Sequence, residues 1–198
     1  MEVIVITKAE AIFKAIQADP QNAVYTQTGI KPLYQVMPEA EILITSQAPS
    51  RRAQESMLFW DDPSGDRLRE WMGLSRDQFY NSGKIAILPL DFYFPGKGDR
   101  GDLPPRQGFA EKWHAPLLAL MPNVKLNLLI GQYAQKFYLQ ARRQKNLSET
   151  VKHYADYMPD YFPIVHPSPL NYGWLKGHPW FEAEVVPALK NEVAAIIH

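Results

Sequence analysis

Three short stretches carry the side chains best suited to chemistry: 46–52 (SQAPSRR), 59–65 (FWDDPSG) and 166–171 (HPSPLN). Prolines flanking small polar residues make rigid loops whose backbone N–H groups and hydroxyls point in fixed directions. Such loops suit contacts to phosphates or base edges. Read singly, each is also an ordinary strand-to-helix turn, because proline, serine and asparagine collect in turns for conformational reasons. The 198 residues include no cysteine, which removes disulfides, thiol nucleophiles, thiolate zinc sites and cysteine-ligated iron–sulfur clusters together. Neither a cofactor nor a metal is therefore expected.

The elements that must position these loops follow from hydrophobic pattern. Four apolar runs of strand length stand out, at 41–45 (EILIT), 84–90 (KIAILPL), 125–130 (KLNLLI) and 161–165 (YFPIV). Each is followed by turn chemistry or a small residue, as buried parallel strands usually are. Helical periods lie between them at 67–72, 109–120 and 132–143. The alternation predicts an α/β fold, a three-layer α/β/α sandwich around a central four-stranded, mostly parallel sheet. An amphipathic helix at 8–18 is expected to lie against that sheet through Ala9, Ile12, Phe13 and Ile16. A closing helix is expected at 179–197, kinked or split by Pro187. The Gly- and Pro-rich stretch 94–107 is the longest loop, and long loops in compact domains are often functional. In such sheets ligands bind beyond the carboxyl ends of the strands. The three chemical stretches fall there.

Composition sets the outer bounds. A chain of this length with 46% apolar residues predicts one domain over residues 1–198. Twenty-one basic and 21 acidic residues balance, so a nucleic-acid partner would have to be held by a local patch. The opening MEVIVIT matches neither a signal nor a transit peptide, and no apolar run reaches the roughly 20 residues needed to span a bilayer. The expectation is a cytoplasmic monomer without membrane contact.

The order and spacing of the loops resemble the uracil-DNA glycosylase superfamily. Gln47-Ala48-Pro49 is similar to the superfamily's first loop in the variant with alanine at the usual acidic position. Residues 58–65 (LFWDDPSG) look like the Pro-Phe-x-Gly-Asp-x-Ser-Gly segment of one branch, and His166-Pro167-Ser168-Pro169 matches the second loop. The resemblance runs from about residue 41 to 192 and points to a cysteine-free branch. It implies excision of uracil, or a related deaminated base, from single- or double-stranded DNA by hydrolysis of the N-glycosidic bond. Such enzymes extrude the base and hold it by stacking and edge contacts.

Roles follow residue by residue from that resemblance. Phe59 matches the stacking ring, and backbone donors around Gln47 and Ala48 would meet the uracil carbonyl edge. His166 would stabilise the departing base as negative charge develops, and Asp62 would orient water and stabilise the cationic sugar. Asp62 is equally good N-capping chemistry for a helix starting near Ser64. Ser50, Arg51, Arg52 and Ser168 are candidates for phosphate contacts, and Leu170 corresponds to the wedge that fills the gap left by an extruded base. The chain departs from the pattern at Ser46, where glycine is usual, and after the second strand, where Asp91 stands near the position of a base-reading asparagine. A carboxylate there would act as an acceptor. Two other readings share the same pocket: a protein that binds nucleic acid or a base without cleaving it, and an enzyme acting on a nucleoside or nucleotide.

Overall fold

The computed structural model describes residues 2–99 and 101–197, with side chains from residue 7 onward. Its central sheet is formed by β1 (Ile42–Thr45), β2 (Ile85–Ile87), β5 (Leu126–Ile130) and β6 (Tyr161–Ile164), while β3 (Lys97–Gly98) and β4 (Gly101–Asp102) make a separate two-residue antiparallel ladder. The helices are α1 (Glu2–Ala18), α2 (Ala23–Gln27), α3 (Arg51–Ser56), α4 (Pro63–Met72), α5 (Arg76–Asn81), α6 (Phe109–Leu118), α7 (Gly131–Leu139), α8 (Leu147–Lys152), α9 (Tyr172–Gly177) and α10 (Val186–Ile197).

Sheet order is β2-β1-β5-β6, and all four strands run parallel, with Ile42 opposite both Ile85 and Leu126, and Leu128 opposite Phe162. β1, β2 and β5 are buried along their whole length, which is why their sequences read as continuous apolar runs rather than alternating ones. One face, carrying Ile42, Ile44, Ile87 and Leu128, packs on Leu68 and Trp71 of α4 and on Leu189 and Val193 of α10. The other face, carrying Leu43 and Ala86, packs on Ile16 of α1 and on Phe109, Trp113 and Leu117 of α6. The result is the expected three-layer sandwich.

Helices differ in extent from the sequence reading: α4 starts at Pro63 rather than 67, α6 ends at Leu118 rather than 120, and α7 ends at Leu139 rather than 143. α1 starts at Glu2 rather than at residue 8; the β-branched run Val3-Ile4-Val5-Ile6 has lower helix propensity, which hid the first turns from a pattern reading. The closing helix is divided as Pro187 predicts, into a π-helical turn over Phe181–Val185 and then α10, where Pro187 occupies the first turn and has no N–H to leave unsatisfied. The chain passes from β1 outward to β2 and then back across to β5. The crevice between the carboxyl ends of β1 and β5 is thus the topological switch point, where doubly wound sheets bind ligands.

Candidate active site

At that crevice the loop after β1 is zipped to the loop after β2: Leu90 donates its N–H to the Ser46 carbonyl at 2.9 Å, and Asp91 donates to that of Gln47 at 3.1 Å. Ser46 is buried, so the departure from glycine is accommodated inside this zipper. Ser50 ends the loop as the N-cap of α3, its Oγ accepting from the Ala53 N–H at 3.1 Å. The backbone N–H groups of Gln47 and Ala48 donate to no other backbone or side-chain group among the described residues. They remain open to a ligand.

The chain then returns past the crevice at 59–65. Asp62 is the N-cap of α4, with Oδ1 accepting from the Gly65 N–H at 2.9 Å; Oδ2 has no hydrogen-bond partner among the described residues. Capping and chemistry are therefore compatible, because a carboxylate has two oxygens and the cap uses one. The carbonyls just upstream are clamped by the neighbouring helices: Tyr80 Oη donates to the Phe59 carbonyl at 2.7 Å, and Arg69 Nη1 to that of Trp60 at 2.9 Å. Gly65 is obligatory at its position, since a Cβ there would lie 1.7 Å from the Trp60 carbonyl oxygen.

His166 follows β6. Asn171 Nδ2 donates to its carbonyl at 2.7 Å, and the Ser168 N–H donates to its Nδ1 at 3.1 Å. With Nδ1 an acceptor, the ring proton sits on Nε2. Burial pushes the imidazole's pKa below its ordinary value, opposed by the negative charges of Asp62 and Asp102. The side chain is thus neutral at pH 7, with one N–H to offer.

These loops close on a cavity of about 160 Å³ whose walls include residues 46–50, Ala53, Phe59, Trp60, Asp62, Ser64, Asp102 and His166. Of the residues expected from sequence, Gln47, Ala48, Ser50, Phe59, Asp62 and His166 come together there. Arg51 and Arg52 are exposed on α3, Arg51 over the Phe94 ring and Arg52 3.9 Å from Asp61. Ser168 lies beside the cavity, its carbonyl accepting from Arg67 Nη1 at 3.2 Å. Leu170 is 94% exposed, projecting into solvent four residues from His166. A larger open groove of about 870 Å³ is lined by Pro105, Lys136, Phe137 and Gln140, and it holds neither His166 nor Asp62.

One expectation is corrected. Asp91 does not line the cavity: it is fully buried, Oδ1 accepts from the Tyr93 N–H and Arg106 Nη2, and Oδ2 accepts from Arg106 Nε and N. A carboxylate so committed has no lone pair facing a base. The Gln47 side chain has a task not read from sequence, since its amide donates to the carbonyl of Leu103 at 2.6 Å and holds the β3–β4 hairpin over the cavity.

That hairpin brings in Asp102, which sequence reasoning missed. It lines the cavity wall while pairing with Lys97 at 2.6 Å. The only signal was the glycine- and proline-rich length of 94–107. Trp60 was missed too, because an aromatic between Phe59 and Asp61 reads as core. Among the described residues, no group of three or more His, Asp or Glu is placed to hold a metal, and no helix is long and apolar enough to cross a membrane.

A family model described as the uracil DNA glycosylase superfamily matches residues 33–190, which contain every residue of this cavity. Among solved structures, the chain is similar to the solution NMR structure of a "putative Uracil DNA glycosylase from Methanosarcina acetivorans", at 14% identity and a TM-score of 0.48, over 81% of this chain and 98% of that one.

Proposed function

The chain belongs to the uracil DNA glycosylase superfamily, and from that premise we propose that it hydrolyses the N-glycosidic bond of uracil, or of a related deaminated base, in DNA. The observation that carries this reading is one cavity holding a carboxylate with an uncommitted oxygen, a neutral histidine with a fixed N–H and an aromatic wall. In this scheme DNA is engaged from the outside, Arg51 and Arg52 and the hydroxyls of Ser50 and Ser168 meeting phosphates while Leu170 fills the space vacated by the extruded nucleotide. The base enters the cavity against Phe59, and the N–H groups of Gln47 and Ala48 donate to its carbonyl edge.

Breaking the bond between C1′ and the base nitrogen sends the bonding electron pair to the base and leaves positive charge on the sugar. His166 Nε2–H donates to the base oxygen as negative charge gathers there, and Asp62 Oδ2 faces the cationic sugar and orients the water that adds to C1′. The water's second proton leaves to solvent or to the departing base. No covalent enzyme intermediate is needed.

The test is incubation with oligonucleotides carrying uracil or hypoxanthine, single-stranded and paired, followed by alkaline cleavage at abasic sites. Strand breaks at the lesion position support the reading. Intact strands for every lesion would sink it, and binding without breaks would favour the non-cleaving alternative.

A further inference from the structure

The turn after His166 carries the two most exposed large apolar side chains among the described residues, Leu170 at 94% and Tyr172 at 68%. They project from a fixed turn. The Asn171 N–H donates to the Ser168 carbonyl at 2.9 Å, Asn171 Nδ2 donates to that of His166 at 2.7 Å, and the Tyr172 N–H donates to that of Pro169. Leu170 has a task in the scheme above. Tyr172 has none, and its ring and hydroxyl make no hydrogen bond or ring contact among the described residues. Neighbouring large apolar side chains held out in water by an ordered backbone mark a surface that meets a partner.

Tyr172 also forms one wall of a groove of about 320 Å³, together with Arg67 of α4, Lys176 of α9 and Glu182. This groove shares no residue with the lining of the cavity. Two cations against one carboxylate leave it positive. Neither Arg67 nor Lys176 forms an ion pair among the described residues. Arg67 donates from Nη1 to the Ser168 carbonyl and keeps its other guanidinium donors, and Lys176 is exposed. An aromatic face beside uncommitted cations is the combination that takes a base together with its phosphates. The chain sets the layout: it leaves the cavity at His166, passes exposed Leu170 and enters the groove at Tyr172 and Lys176.

We propose that Tyr172, Arg67 and Lys176 form a second DNA contact, made with the strand opposite the extruded nucleotide. The Tyr172 ring stacks on the base left without its partner, and the two cations meet phosphates of that strand. The strand bearing the lesion is engaged on the cavity side of Leu170, and Leu170 occupies the vacated space, so the side chains beyond Leu170 face the other strand. The assignment rests on the base-extruding reading above and adds a strand preference to it: the protein is built for duplex rather than single-stranded DNA.

The probes are oligonucleotides carrying a tetrahydrofuran abasic-site analogue, single-stranded and paired, which hold no base to excise. Binding to the full-length protein is read by fluorescence anisotropy across a salt series. Wild type should prefer the duplex. Tyr172→Ala should lower the ratio of duplex to single-strand affinity about tenfold, the scale of one lost stack. Lys176→Gln should reduce the slope of log affinity against log salt on duplex by about 1. Both side chains are exposed, so neither variant removes a packed group. A ratio unchanged by Tyr172→Ala, equal losses on both DNAs included, or a slope unchanged by Lys176→Gln, overturns the proposal. Uracil excision by wild type with an unchanged ratio sinks the second contact and leaves the glycosylase reading standing. A lowered ratio, with no excision of any lesion by wild type, does the reverse, and binding to neither DNA removes both.

Discussion

Two clusters made from the same kinds of residue flank the carboxyl ends of β1 and β2, and they use them in opposite ways. At the Asp91–Arg106 anchor every hydrogen-bonding position of the carboxylate is spent: Arg106 bonds it through Nε, Nη2 and its backbone N–H, then reaches Asn22 at 2.7 Å and the Gln21 carbonyl at 2.8 Å. Its guanidinium also lies over Tyr25, Tyr93 and Phe109. In the cavity, Asp62 spends one oxygen and keeps one, and His166 spends Nδ1 and keeps Nε2–H. The saturated groups of the anchor hold the fold together, while Asp62 and His166 keep hydrogen-bonding positions free at the cavity. On the proposed function, the contrast separates a structural cluster from a ligand-binding one.

The anchor predicts the largest effect on stability. Asp91→Ala leaves the Arg106 charge half-buried without its partner and should cost about 3–5 kcal/mol, read as a lowered urea midpoint; a loss under about 1 kcal/mol would break the contrast. In the cavity the large effects should fall on rate. His166→Ala removes a donor to the developing charge and should slow excision about 10²–10³-fold, measured by single-turnover cleavage.

The same histidine sets a pH dependence. Its pKa in the fold lies below the ordinary 6.5, so the unfolded chain takes up a proton first as pH falls. Excision and the stability contributed by the neutral ring should therefore hold above pH 6.5 and be lost as pH drops through the depressed value. Protonating Nδ1 would also set it against the Ser168 N–H that now bonds it. A rate that rises on acidification would contradict the neutral-donor assignment. The smallest effect belongs to Leu170→Ala: the side chain is exposed, so stability should change by less than about 0.5 kcal/mol. Excision from duplex should fall by roughly tenfold or less, on the scale of the apolar contact removed.

What was legible in the sequence divides along the same line. The four strands, the capping chemistry of Asp62 and the His166 loop are local patterns, readable from residues within a few positions of one another. The anchor and the hairpin dock are pairings across distance: Asp91 meets Arg106 15 residues on, and Gln47 meets Leu103 56 residues on. No local pattern carries them, so Asp91 looked free and Asp102 went unseen. Trp60 was hidden for another reason, since its place in the cavity wall depends on Arg69 and Gly65 being folded around its carbonyl.

Asp62 and Asp91 provide the most direct test of the central claim, because asparagine is nearly the same shape and caps helices as well as aspartate does. Urea unfolding and single-turnover excision of a uracil-containing oligonucleotide should be measured for Asp62→Asn and Asp91→Asn side by side. The account predicts that Asp62→Asn keeps wild-type stability within about 0.5 kcal/mol and loses rate by about 10²–10⁴-fold. It predicts that Asp91→Asn is markedly destabilised while its folded fraction excises at nearly the wild-type rate. Full activity in Asp62→Asn, or an inactive Asp91→Asn of wild-type stability, would contradict it.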